Sequence, residues 1–224
     1  METTRKNSKL PDQAFTEGGD VELLGKETIY DGFFTMERLT LRHRLYEGGW
    51  SEPFSRELFV RGPAVGVLLY DPDRELIGLI EQFRVGALGQ PNSPWLLEVV
   101  AGMVEAGESA EEVARRESFE EAGIELMELE PICEYLVSPG GSNEAIKLFC
   151  GLTNLENSGG CYGVAGEHED ILLRVVPEAE AFDALNSGRC NNAATIVCLQ
   201  WLMLNRELVH KNWRKKSRTI GYSR

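Results

Sequence analysis

The stretch Ser109–Gly123, SAEEVARRESFEEAG, packs five glutamates and two arginines into one short segment. It opens as a helix should. Ser109 followed by Glu112 is a capping box, in which the hydroxyl accepts from the backbone N–H three residues on and the carboxylate returns to the Ser N–H. Gly123 supplies the left-handed residue that ends helices. Between these limits Ala110, Val113, Ala114, Glu117 and Glu121 recur at spacings of three and four, which puts them on one stripe. The first three suit a core. The last two do not, and Glu120 lies beside Glu121. Like charges about 4 Å apart repel by about 4 kcal/mol at an effective dielectric near 20, whereas a Glu–Lys pair on a helix surface returns only about 0.2–0.5 kcal/mol. Arg115 and Arg116 cannot balance that repulsion. Either the face stays wet and the acids solvate, or a cation sits between them, and the apolar start of the stripe favours the cation. Carboxylates without His or Cys nearby suit Mg²⁺ or Mn²⁺, and Mg²⁺ usually binds together with water and substrate phosphates.

Composition bounds the rest. With 224 residues, 42% of them hydrophobic, the chain can bury a substantial core. A net charge of −13 argues against nucleic acid as a partner, because phosphate backbones are bound through clustered Lys and Arg. Five cysteines with no C-x-x-C pair indicate neither a disulfide framework nor a zinc ribbon, and read as buried reduced thiols. The N-terminus has no apolar targeting core, and the longest apolar run, TIVCLQWLML, is too short to span a membrane. A cytoplasmic protein is expected, with no membrane contact. The basic end, HKNWRKKSRTIGYSR, reads as a frayed tail.

Outward from the helix, short β-branched and apolar runs broken by Gly and Asp predict strands, and helices are predicted from Pro177 to near Gly188 and over 192–209. The class is α+β, a mixed α/β/α sandwich, preceded by a small antiparallel sheet read as two strands. The expected divisions are a disordered tail over 1–20, an N-terminal β domain over 21–62, the main domain over 63–209 and a basic tail over 210–224.

Gly102 to Ile124, GMVEAGESAEEVARRESFEEAGI, resembles the box G-x5-E-x7-R-E-U-x-E-E-x-G-U of the Nudix hydrolases, where U is bulky and apolar. Gly102, Glu108, Arg116, Glu117, Glu120, Glu121, Gly123 and Ile124 match, and Ser118 departs from a U position. ETIYDGFF, RELFVRG, LIEQFR, PWLLEVVAGM, SPGGSNE and AGEHEDI extend the resemblance to the ADP-ribose pyrophosphatase branch of that family. The resemblance implies the Nudix fold, hydrolysis of ADP-ribose to AMP and ribose 5-phosphate with two or three Mg²⁺ ions (Mn²⁺ as substitute), and a homodimer with exchanged N-terminal sheets. It implies metal ligation by Glu117, Glu120, Glu121, Glu169 and the carbonyl of Ala101, with Glu167 as the base that activates water. Arg116 would orient the carboxylates. Substrate contacts would fall to Arg56, Glu57, Arg61, Arg84, Met103, Ser138, Pro139, Gly140 and Glu144, with Phe33 and Phe34 arriving from a partner subunit. Two alternatives stand beside this reading: a Nudix hydrolase of another nucleoside diphosphate sugar, and a Nudix domain that binds nucleotides without cleaving them.

Overall fold

The computed structural model describes residues 15–164, 166 and 169–220, the last five by backbone alone. The chain folds as two compact units, Met1–Arg61 with Gly140–Asn143, and Gly62–Pro139 with Glu144–Arg224.

The first unit is a three-stranded antiparallel sheet of β1 (Val21–Asp31), β2 (Thr35–His43) and β3 (Phe54–Val60) in that order. The third strand corrects the two-strand reading: Phe54–Val60 pairs along β2 from Phe54 opposite Leu41 to Val60 opposite Thr35 and completes the sheet. A helical turn, α1 (Glu17–Asp20), precedes β1, so the last residues of the segment expected to be disordered are ordered. The reason is local, since Asp20 accepts from the Thr16 N–H at 2.9 Å and so closes the turn. Gly140–Asn143 joins this unit through backbone bonds to β3, with Phe59 N–H donating to Gly141 O at 2.8 Å, and through Asn143 Oδ1, which accepts from the Arg61 N–H at 2.7 Å.

The second unit is built on β4 (Pro63–Asp71), β5 (Leu76–Phe83), β6 (Trp95–Glu98), β7 (Val100–Met103), β8 (Glu128–Leu136), β9 (Ala145–Leu152), β10 (Gly160–Tyr162) and β11 (Ile171–Pro177). The sheet runs β10-β11-β5-β4-β9-β8, with β6 pairing β5 and β7 pairing β4; β4 and β9 are parallel and the other pairs antiparallel. The stretch PWLLEVVAGM holds two strands, β6 and β7, that serve different neighbours. The central strand β4 is buried from Ala64 to Asp71, which is why its sequence is an unbroken apolar run.

Alternation along β4 and β5 divides the core. Val65, Val67, Leu69 and Ile80 pack with Val113, Ala114 and Ala122 of α2 (Ala110–Ala122). Leu68, Tyr70, Ile77 and Leu79 pack on the other side with Ala181 of α3 (Glu178–Asn186) and Leu199, Leu202 and Val209 of α4 (Ala193–Ile220). This is the expected sandwich of helix, sheet and helix. The last helix runs eleven residues past the expected end at 209, because no Gly or Pro interrupts the chain before Gly221 and Trp213 holds the extension, packing on the core and donating to Asp73 at 3.0 Å. His210 is tied to the buried Tyr70. The Tyr hydroxyl donates to Glu178 Oε2 at 2.9 Å and has no second proton, so His210 Nε2 donates to the Tyr oxygen at 2.7 Å. All five cysteines are unpaired; Cys150, Cys190 and Cys198 are buried as expected, whereas Cys133 and Cys161 are exposed. Cys133 and Cys161 lie on β8 and β10, the two ends of the sheet path, where side chains have fewer neighbours. Among the described residues no helix is long and apolar enough to cross a membrane.

Candidate active site

The capping box of α2 forms as its sequence requires. Ser109 Oγ accepts from the Glu112 N–H at 3.3 Å, and Glu112 Oε2 accepts from the Ser109 N–H at 2.8 Å. At the other end Gly123 sits at φ 65°, and the N–H groups of Gly123 and Ile124 turn back onto the carbonyls of Phe119 and Ser118. These two ends fix the register of the stripe. Val113 and Ala114 are fully buried, and one turn on, the Glu117 side chain is only 14% exposed and Glu121 only 3%.

Burial is the main force on both acids. It raises the Glu117 carboxyl above the usual range, against the pull of Arg116. It pushes Glu121 up to about 8, opposed by the Ala101 N–H, which donates to Glu121 Oε2 at 3.0 Å, and reinforced by the charges of Glu117 and Glu169. Glu169, in the loop after β10, accepts from the Val164 N–H at 3.2 Å, and its charge acts on both helix acids. Glu117, Glu121, Glu169 and Ala101 are thus electrically or directly coupled. Glu120 is more exposed and bonds to Arg116. Glu167 lies outside the described residues.

Arg116 is fully engaged by the protein. Nε and Nη2 grip the two oxygens of Glu108 at 3.0 and 3.1 Å, and Nη1 bonds Glu117 Oε1 at 2.8 Å and Glu120 Oε2 at 3.1 Å. Such charge-assisted pairs hold the carboxylates in place. Arg116 in turn holds Glu108 below the usual carboxylate range. Among the described residues no three acidic, His or Cys side chains form a ready-made metal cage. The donor set still fits a hard cation: Glu117, Glu121 and Glu169 act on one another, Arg116 divides its single charge among Glu108, Glu117 and Glu120, and a cation with its own waters needs few protein ligands.

Gly102 has a role beyond the backbone freedom its type suggests. A Cβ there would lie 1.7 Å from Glu117 Oε1, so only glycine leaves room for that side chain. The position was legible in the sequence and the steric reason was not. Two further residues were missed as site candidates. Glu108, visible as a motif match, anchors Arg116. Glu98 sits on β6 opposite Ile80, is 13% exposed, and accepts from Arg84 Nε at 2.8 Å. Its signal was masked because a single Glu inside an apolar strand carries no periodicity.

The remaining candidates fall into their own units. In the second, Arg84 acts electrostatically on Glu121, Met103 is partly exposed and its carbonyl faces Arg116 Nη2 at 3.5 Å, and Ser138 and Pro139 lead an exposed turn after β8. Glu144 accepts from the Val137 N–H through its backbone carbonyl at 3.0 Å. In the first unit, Gly140 opens the segment bound to β3, Arg61 stacks over the Phe34 ring at 4.6 Å, Arg56 stacks over Phe54 at 4.7 Å, and Glu57 reaches Arg38 at 3.5 Å. Phe33 meets Phe34 edge-on at 4.7 Å and is 94% exposed, so it is not a core residue of this unit.

Comparison with known proteins places this geometry. The model of the NUDIX domain matches residues 60–187. The chain belongs to the NUDIX domain family. The Nudix chain is 42% identical over 194 residues to the ADP-ribose pyrophosphatase of Escherichia coli (strain K12), covering 87% of this chain and 93% of that protein. It is 43% identical over 199 residues to the ADP-ribose pyrophosphatase of Haemophilus influenzae, covering 88% and 92%. The GDP-mannose pyrophosphatase of Escherichia coli O157:H7 is 29% identical over 186 residues, covering 83% and 96%. Among solved structures, an ADP compounds hydrolase superposes with a TM-score of 0.61 at 21% identity, over 82% of this chain and 95% of that one, which supports the Nudix fold.

Proposed function

We propose that this Nudix enzyme hydrolyses the diphosphate of ADP-ribose to AMP and ribose 5-phosphate. The observation that carries the chemistry is the pair Glu117 and Glu121, buried on one stripe of α2 beside Ala101, where Arg116 divides its single charge among Glu108, Glu117 and Glu120. The substrate is supported by the ADP-ribose pyrophosphatases at 42–43% identity over most of the chain. Glu117, Glu121, Glu169 and the Ala101 carbonyl, with Glu120 as an outer ligand, would hold divalent ions, Mg²⁺ first and Mn²⁺ as substitute, two or three per site. Bound there, such ions lower the pKa of water and offset charge on the diphosphate.

The chain's own residues have separable tasks in this reading. Arg116 keeps Glu117 and Glu120 aimed, because its guanidinium bonds to both while Glu108 fixes its other edge. Glu167 takes the proton from the attacking water; a base on a loop can close over substrate and exclude solvent. In the second unit Arg84 binds phosphate oxygens through paired N–H donors, and Met103, Ser138, Pro139 and Glu144 contact substrate. In the first unit Arg56, Glu57, Arg61 and Gly140 are the substrate-contacting residues, the arginines again as phosphate donors. Phe33 and Phe34 contact adenine from the partner of a homodimer, a role supported by the exposure of Phe33 and of Val21, Leu23, Leu24 and Tyr30 in the same unit. The enzyme works in the cytoplasm, on a small nucleotide sugar, without nucleic acid or membrane as partner.

The test is a panel of nucleoside diphosphate sugars compared by kcat/KM at saturating Mg²⁺. ADP-ribose should lead by at least about tenfold. A preference for GDP-mannose would transfer the enzyme to the specificity of its 29% identical relative.

A further inference from the structure

We propose that Glu98 is a positioning residue that holds Arg84 by its Nε edge and presents the two terminal nitrogens of the guanidinium to the substrate diphosphate. The inference rests on the reading of the site beside Glu121 as a diphosphate site.

Four observations converge on it. Glu98 faces Ile80 across the β5–β6 pair, and residues directly opposite in an antiparallel pair share a face, so Glu98 leaves the sheet on the side packed by α2. Its carboxylate is 13% exposed and accepts from Arg84 Nε at 2.8 Å, while the Arg84 side chain is 43% exposed. The backbone of Arg84 is also pinned, its N–H donating to Pro94 O at 2.8 Å where β5 and β6 continue towards each other. The charge of Arg84 reaches Glu121 from this position. Arg84 therefore has its backbone and its Nε held while its side chain remains 43% exposed, and its charge acts on the acid assigned to the ion.

This arrangement has a physical use. A free arginine side chain loses rotamer entropy when it is immobilised. Glu98 orders it in advance, so a phosphate meets a guanidinium already in place. The carboxylate takes Nε, and the planar fork leaves Nη1 and Nη2 for two phosphate oxygens in the same plane. Burial raises the Glu98 carboxyl above the usual range, and the charge of Arg84 and its hydrogen bond oppose that rise.

A double-mutant cycle tests the assignment. Glu98→Ala should raise KM for ADP-ribose by about tenfold and leave kcat within about threefold of wild type, and Glu98→Gln, which keeps a carbonyl acceptor at the same reach, should recover most of the loss. In an Arg84→Ala background, Glu98→Ala should add less than about twofold. The same pattern should appear without turnover, in calorimetric affinity for a methylene-bridged ADP-ribose analogue in the presence of Mg²⁺. Independent losses from the two substitutions, or a fall in kcat with KM unchanged, would overturn the assignment and make Glu98 a packing residue of β6. A wild-type enzyme that cleaves another nucleotide sugar and leaves ADP-ribose intact would overturn the substrate reading instead; the cycle would then be run on the substrate that is cleaved.

Discussion

Glu121 makes the unliganded enzyme sensitive to pH in a direction opposite to that of an ordinary surface acid. Its folded carboxyl titrates at about 8 against an ordinary value of 4.5, with burial as the principal cause. A raised acid contributes stability that is fully present below its unfolded pKa and is lost as pH rises through the folded one. Between pH 4.5 and about 8 the folded chain keeps a proton that the unfolded chain has released, so stability falls by about 1.4 kcal/mol per pH unit, a loss approaching about 5 kcal/mol at pH 8. Glu117 and Glu98 are shifted in the same direction and act in the same sense. Glu121→Gln removes the charge and keeps an oxygen to accept from the Ala101 N–H. In chelator, urea denaturation at pH 5, 6, 7 and 8 should give the variant a stability close to wild type at pH 5 and at least about 2 kcal/mol greater at pH 8. Added Mg²⁺ should restore the wild type at pH 8 and leave the variant unchanged. Parallel pH profiles for the two proteins would refute the claim that burial of this charge is what the site must offset.

Gly102→Ala places a methyl group where Glu117 now stands, 1.7 Å from Oε1, and should lower kcat/KM by at least about 100-fold with a stability loss of about 1–3 kcal/mol, read by steady-state kinetics and denaturation. Ser118→Ala should raise stability by about 1 kcal/mol with turnover unchanged, because the Ser118 hydroxyl is buried without a partner among the described residues; a destabilised variant would show that the hydroxyl is satisfied. Ser109→Ala removes the cap of α2 and should cost about 1 kcal/mol in urea denaturation, with metal affinity falling in step if the helix register carries the ligands.

The helix that decides the site was readable because its signals are local. A capping box, a terminal glycine and a stripe of spacing three and four fix which carboxylates share a face, and that face is the buried one. The strands flanking it were readable as apolar runs, yet their neighbours were not: PWLLEVVAGM holds two strands that serve β5 and β4 in turn, a division set by pairing at long sequence distance. The same limit hid Glu98, whose importance lies in a bond to Arg84 across two strands. Gly102 shows the mixed case. Its place in the motif is visible in the chain, while the carboxylate that forbids a side chain there comes from a helix fifteen residues on. The basic composition after 209 reads as a tail, whereas Trp213 holds the helix to the core. Ser118 departs from the motif, and its hydroxyl is buried without a partner among the described residues.

The decisive measurement is ³¹P NMR of ADP-ribose incubated with the wild-type enzyme and saturating Mg²⁺, beside matched samples in chelator and with Glu121→Gln. The diphosphate resonances should give way to those of AMP and ribose 5-phosphate in equal amounts, with no conversion in either matched sample. Persistence of the diphosphate signals with Mg²⁺ or Mn²⁺ present, or undiminished cleavage by Glu121→Gln, would contradict an ion-dependent site built on the buried acids of α2.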